Sequence, residues 1–283
     1  MLRMFSHRCT RDSGQQEETK LSKVIRISEA ISKTPDQYRN YYVPVFKQRC
    51  DGTPYHAGTA FGFEHQGRRL LLTALHVLDR DANNPCDTQD ELYLVVAGVL
   101  QGIGKFTKST VKDPGMPHKL LDLAIIEPLD YNLSAVFRYF FTAQHFYRAR
   151  PHPHLYAAAC GFPSKVNRIS WRNRPLKNRP VGYFGKISPA WKLRLAGFSS
   201  LTHFGIDIDL KKTFTRTQPE VKAPKPYGIS GGPVFVVFDF HCPSRRPTPL
   251  LRGLVIESAA PRKCLICVDL QPILYTIYGK RSP

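Results

Sequence analysis

The sequence predicts an all-β protein built from two antiparallel β-barrels of roughly six strands each, with an N-terminal extension and a C-terminal helix. Three observations predict it. Short apolar runs of four to seven residues recur along the chain, bounded by clusters of Gly, Pro, Asn and Asp. The composition, 42% hydrophobic and 22% charged with 19 Gly and 23 Pro, suits many strands and turns better than a helical bundle. The runs also fall into two series of similar size, joined around 140–153, with no internal sequence repeat.

In order, residues 1–38 read as an extension. The first twenty are polar, and Val24, Ile27 and Ile31 lie at helical spacing within 21–33, which predicts a short amphipathic helix packed on the body. The main domain is placed at 39–283, its first barrel at about 39–140. The strands expected there are 41–46, 59–63, 69–73, 92–96 and 123–126. The second barrel, about 154–270, takes strands 155–160, 181–187, 204–210, 233–238, 250–256 and 265–268. A closing helix is expected at about 272–278, with Pro272 at its start and Gly279 past its end.

Bulk properties exclude some classes. No apolar run reaches the length of a membrane span, and residues 1–8 lack the apolar centre of a signal peptide. Seven cysteines, at 9, 50, 86, 160, 242, 264 and 267, are an odd number, which favours reduced thiols and a cytoplasmic protein. Cys264 and Cys267 have no second pair at zinc-ribbon spacing, and His152 and His154 lack acidic or thiol neighbours, so no metal and no cofactor is expected. The net charge of +19 favours an anionic partner, nucleic acid or acidic protein. Its densest stretch is Lys165–Arg179, where Lys165, Arg168, Arg172, Arg174, Lys177 and Arg179 surround Trp171 without an acid. A stacking surface for bases is one reading of that stretch. A solvated loop with Arg stems on apolar surface is the other.

Three short motifs carry chemistry. Gly228-Ile229-Ser230-Gly231-Gly232-Pro233 sets a serine in a turn where glycine allows a sharp bend and close approach. Upstream, Thr73-Ala74-Leu75-His76 offers a base and Asp122-Leu123-Ala124-Ile125 a carboxylate, an acid whose burial in an aliphatic run would call for a partner. Asp113 and Asp130 lie outside that run. The spacing Gly228-x-Ser230-x-Gly232 also fits a nucleophile elbow, but that fold needs its histidine well after the serine, and His241 follows too closely.

Taken in the order His76, Asp122, Ser230, these motifs resemble the chymotrypsin-like (trypsin-fold) serine endopeptidases, in particular bacterial-type intracellular members, over residues 41 to 278. The resemblance implies a double barrel, peptide substrates, His76 as general base, Asp122 as its orienter and Ser230 as nucleophile. It further implies an oxyanion hole from the backbone N–H groups of Gly228 and Ser230, and a substrate pocket lined by Pro224, Val255, Ile256 and Glu257, where Glu257 would favour a basic side chain. Ile229 stands where secreted relatives carry the aspartate that pairs with a new N-terminus, so activation by trimming is not expected. The function implied is a gated or highly specific serine endopeptidase. The alternative is a non-catalytic or latent double-barrel module that binds a peptide or nucleic acid.

Overall fold

A computed structural model describes residues 29–30, 33–79, 91–114, 116–146, 155–167, 179–208, 224–238, 248–259, 264–271 and 273–274. The chain is all-β, with two antiparallel units. The first is a seven-stranded sheet of β1 (Tyr42–Gln48), β2 (Pro54–His65), β3 (Arg68–Thr73), β4 (Tyr93–Val96), β5 (Val99–Gly102), β6 (Phe106–Asp113) and β7 (Met116–Pro128). Its order is β5-β4-β1-β2-β3-β7-β6. The second comprises β8 (Tyr156–Gly161), β9 (Val181–Ile187), β10 (His203–Ile208), β11 (Pro233–Phe238), β12 (Thr248–Ala259) and β13 (Cys264–Asp269). These close into a barrel in the order β10-β13-β12-β11-β8-β9.

The strands expected from apolar runs are present, most of them longer than the runs themselves. β5 and β6 were not foreseen. β5 returns from β4 through a two-residue hairpin at Ala97 and Gly98, both with positive φ, and Ala is an uncommon occupant of such a turn. β6 reads Phe-Thr-Lys-Ser-Thr-Val-Lys-Asp and is largely exposed, so no apolar face announces it. Pairing with β7 along Phe106↔Pro128 to Thr110↔Ala124 makes it a strand. The six-residue helix Ala190–Leu195 was likewise unforeseen.

Of the expected N-terminal helix, residues 21–28 and 31–32 lie outside the described residues; 29–30 and 33–37 are helical. The stretch after it packs onto the second unit: the Tyr38 ring stacks on Phe235 at 4.5 Å and its hydroxyl donates to the Pro249 carbonyl at 2.9 Å. Of the closing helix, 272 and 275–278 lie outside the described residues, while Leu270 and Ile273 are buried. One continuous apolar core joins the units, running from Tyr42, Phe61, Phe63 and Leu71 in the first to Phe235, Leu251, Leu254 and Val268 in the second. A second cluster, including Ile206, Ile229, Val234, Val236 and Val255, fills the barrel.

Cys160, Cys264 and Cys267 are free, buried thiols. Cys50 is disulfide-bonded, which corrects the expectation of reduced thiols throughout; an odd total excludes complete pairing but not a single bridge. Among the described residues no helix is long and apolar enough to cross a membrane.

Candidate active site

β3 ends at Thr73 and the chain turns into a one-turn helix, Leu75–Leu78, that carries His76. Val77 and Leu78 are buried and anchor it. Its C-terminal carbonyls, which lack helical partners, are taken by the buried ammonium of Lys47 from β1, 2.9 Å from the Asp79 oxygen and 3.4 Å from that of Leu78. Asp122 lies on β7 between the buried Leu121 and Leu123. β7 pairs with β3 from Leu71↔Ile126 to Thr73↔Ala124, which brings Asp122 to the end of β3.

There the carboxylate holds His76 by both of its N–H groups. The backbone N–H donates to Asp122 Oδ1 at 2.9 Å, and ring Nδ1 lies 2.6 Å from Oδ2. A carboxylate can only accept, so the proton sits on Nδ1 and the neutral ring presents a lone pair at Nε2. Burial by itself would lower the His76 pKa. The hydrogen bond and charge of Asp122, with the charges of Asp79 and Glu257, outweigh it, and the pKa is raised above its ordinary value of 6.5. Asp113 is engaged elsewhere, buried and accepting from the Thr202 hydroxyl at 3.0 Å.

The serine turn is pinned to both units. Gly231 N–H donates to the Val255 carbonyl at 2.7 Å and Val255 N–H to Gly232 at 2.9 Å, fixing it to β12. On the other side Thr59 N–H of β2 donates to the Ser230 carbonyl at 2.8 Å. Thr59 Oγ1 donates to the Gly228 carbonyl at 3.1 Å, and Thr73 Oγ1 to the Thr59 carbonyl at 2.7 Å. Gly228 and Gly231 have φ of 89° and 84°. A Cβ on Gly231 would lie 2.1 Å from the Thr59 oxygen and 2.9 Å from Ala74 N, so only glycine lets the turn sit this close to the strand that leads to His76. Ile229 is 1% exposed and packs in the barrel core, where its side chain faces Gly161.

Among the described residues neither Gly228 N–H nor Ser230 N–H has an acceptor. The Ser230 hydroxyl reaches the Ile256 carbonyl at 3.4 Å. Ile256 falls at a bulge in the β12–β13 ladder, between Val255↔Cys267 and Glu257↔Ile266. The side chains of Val255 and Ile256 are buried, so what this stretch offers the Ser230 hydroxyl is backbone, followed by the exposed Glu257. Pro224 presents its carbonyl to the Tyr183 hydroxyl at 2.9 Å.

Most of the basic stretch, 168–178, lies outside the described residues, as do His152 and His154. Its base is closed by Asn167, whose side chain donates to the carbonyls of Pro163 and Arg179 and accepts from Arg179 N–H. Among the described residues no three His, Cys, Asp or Glu side chains converge as a metal site requires. Thr59 and Lys47 support this arrangement in ways that the sequence did not reveal. Both act through contacts with segments distant in the chain, which leave no local pattern.

No family model matches the chain, and no curated protein does. Among solved structures it is similar to the thermostable serine protease AL20 from an extremophilic microorganism, at 12% identity over 85% of this chain and 96% of that one, TM-score 0.48. It is similar to the tobacco vein mottling virus protease at 10% identity over 91% and 85%, TM-score 0.47. It is similar also to the serine protease domain of the Sesbania mosaic virus polyprotein, at 15% identity over 84% and 93%, TM-score 0.44.

Proposed function

We propose that this chain is a serine endopeptidase that cleaves polypeptides through an acyl-enzyme, with Ser230 as nucleophile, His76 as base and Asp122 as orienter. The observation that carries the reading is the two-point grip of Asp122 on His76, which leaves Nε2 free to accept a proton. The serine turn supports it, docked on the same unit with two N–H groups that lack acceptors among the described residues. In the first step Ser230 Oγ bonds to the scissile carbonyl carbon while its proton passes to His76 Nε2. The carbonyl oxygen takes up the negative charge and is stabilised by Gly228 and Ser230 N–H. The imidazolium then protonates the amine as the C–N bond breaks. A water molecule, deprotonated by His76, hydrolyses the ester and restores Ser230. Glu257, exposed beside the Ser230–Ile256 contact, is suited to a basic side chain of the substrate.

Attack requires the Ser230 hydroxyl, which lies 3.4 Å from the Ile256 carbonyl, to be directed at His76 Nε2. A gate that acts on this orientation would keep the peptidase quiet without disturbing the fold.

The test compares wild type with Ser230→Ala for fluorophosphonate labelling and for cleavage of a diverse peptide library read by mass spectrometry. Labelling and cuts confined to wild type are expected, with both proteins folded alike. Labelling of Ser230→Ala would remove Ser230 as the nucleophile. Labelling of wild type without cuts would favour a narrow substrate specificity.

A further inference from the structure

We propose that His56 and Ser164 form a wedge behind the serine turn that holds the Tyr227–Gly228 peptide with its N–H aimed into the cleft, so that the oxyanion hole is set before substrate arrives. This rests on the peptidase reading above, and it assigns His56 and Ser164 as positioning residues.

Ser164 N–H donates to the Tyr227 carbonyl at 2.8 Å. In a planar trans peptide the carbonyl and the following N–H point in opposite directions. Fixing the Tyr227 carbonyl toward Ser164 therefore turns Gly228 N–H away, and that N–H is one of the two without an acceptor among the described residues. The next peptide is pinned as well, because the Gly228 carbonyl accepts from Thr59 Oγ1. A flip of the 227–228 peptide would break the Ser164 contact and drive Gly228 N–H toward the wedge.

A flipped N–H would face the Ser164 N–H, donor against donor. The pair also lies where a side chain at 228 would sit: a Cβ there would stand 2.3 Å from Ser164 Oγ and 2.6 Å from His56 Nδ1, so only glycine fits against it. They are hydrogen-bonded to each other at 3.1 Å across 108 residues of sequence. The His56 ring meets Phe46 edge to face at 5.2 Å. Ser164 is braced from its other side by the turn that Asn167 closes on Pro163 and Arg179.

One detail argues for a role beyond filling space. Among the described residues His56 Nε2 is buried with no hydrogen-bond partner, a costly arrangement that an apolar ring would avoid. What a histidine supplies and a phenyl ring does not is the Nδ1 contact with Ser164. Burial keeps the imidazole neutral, its pKa lowered to about 4, so above that pH it acts through shape and this one bond.

The test is His56→Phe, which keeps a planar aromatic ring, somewhat larger, and removes both the unpartnered Nε2 and the Nδ1 that holds Ser164. Its melting temperature should equal or exceed that of wild type. We expect kcat to fall by roughly 10- to 100-fold with KM within about twofold, because one oxyanion donor loses its fixed direction. Inhibition by a peptide aldehyde, whose adduct oxygen occupies the hole, should weaken in proportion. An unchanged kcat in His56→Phe, with wild type active, would overturn the wedge. Amide hydrogen exchange gives a readout independent of turnover: Ser164 N–H protected in wild type and exposed in His56→Phe, Gly228 N–H fast in both. A fast Ser164 N–H in wild type would also overturn it. Inactive wild type with the predicted exchange pattern would instead sink the peptidase reading and leave the wedge standing.

Discussion

The surroundings of His76 and His56 drive their protons in opposite directions. Around His76 the carboxylates win over burial and the pKa is raised; around His56 burial acts alone and lowers it to about 4. The acid limb of the pH–rate profile should therefore have its midpoint above 6.5, the ordinary histidine value. Glu257 contributes to that rise, so Glu257→Gln should move the midpoint down while leaving thermal stability within about 0.5 kcal/mol. A midpoint that does not move would place the Glu257 carboxylate out of range of the imidazole. Stability follows with opposite signs. The raised His76 adds stability that is present below 6.5 and lost as pH rises through its folded value. The lowered His56 costs stability as pH falls from 6.5 toward about 4, because the unfolded chain takes up a proton that the fold refuses. Over that window the loss should reach on the order of 3 kcal/mol in urea unfolding, and His56→Phe should reduce it.

Elements place these residues, and Lys47 shows how. Its ammonium caps the helix that carries His76 from a strand 29 positions upstream, 2.9 Å from the Asp79 oxygen. Lys47→Met keeps the apolar stem but leaves the capped carbonyls without this donor. We expect about 1–3 kcal/mol of destabilisation in chemical unfolding and a fall in kcat larger than any change in KM. Equal kcat would mean that Val77 and Leu78 hold the helix unaided. The same elements explain what could be read in advance. The segments of His76, Asp122 and Ser230 were legible because each has a local signature: an apolar strand running into a turn, an acid inside an aliphatic run, a serine between glycines. The grip of Asp122 on His76 was expected because a carboxylate there needs a partner. β6 was illegible, since hydrogen bonding to β7 stabilises it and its side chains bury little. The wedge was illegible for a related reason: neither His56 nor Ser164 is unusual in its own stretch, and their contact exists only after the two units meet.

At the scale of the molecule, one core spans both units. Tyr38 lies against Phe235, and Asp113 of β6 takes a hydrogen bond from Thr202 beside the barrel. Two separable domains would each keep their own core, whereas here Phe61, Leu71, Leu251 and Leu254 belong to the same cluster. Calorimetry should therefore record a single transition whose van't Hoff and calorimetric enthalpies agree, and two resolved transitions would contradict a shared core. The disulfide at Cys50 lies just past β1, away from the buried thiols of β8 and β13, so oxidation and a reduced interior coexist in one chain.

The two units differ in how their ladders end. A closed ring of strands has no end from which to fray, while a sheet with β5 and β6 at its margins has two. The serine turn leads into β11 of the ring; the imidazole and its carboxylate belong to the sheet. Fraying confined to those margins, short of the single cooperative transition, would reach the sheet that carries His76 and Asp122 before the ring that beds Ser230. On the proposed reading, activity would then dip below the melting temperature and return on cooling.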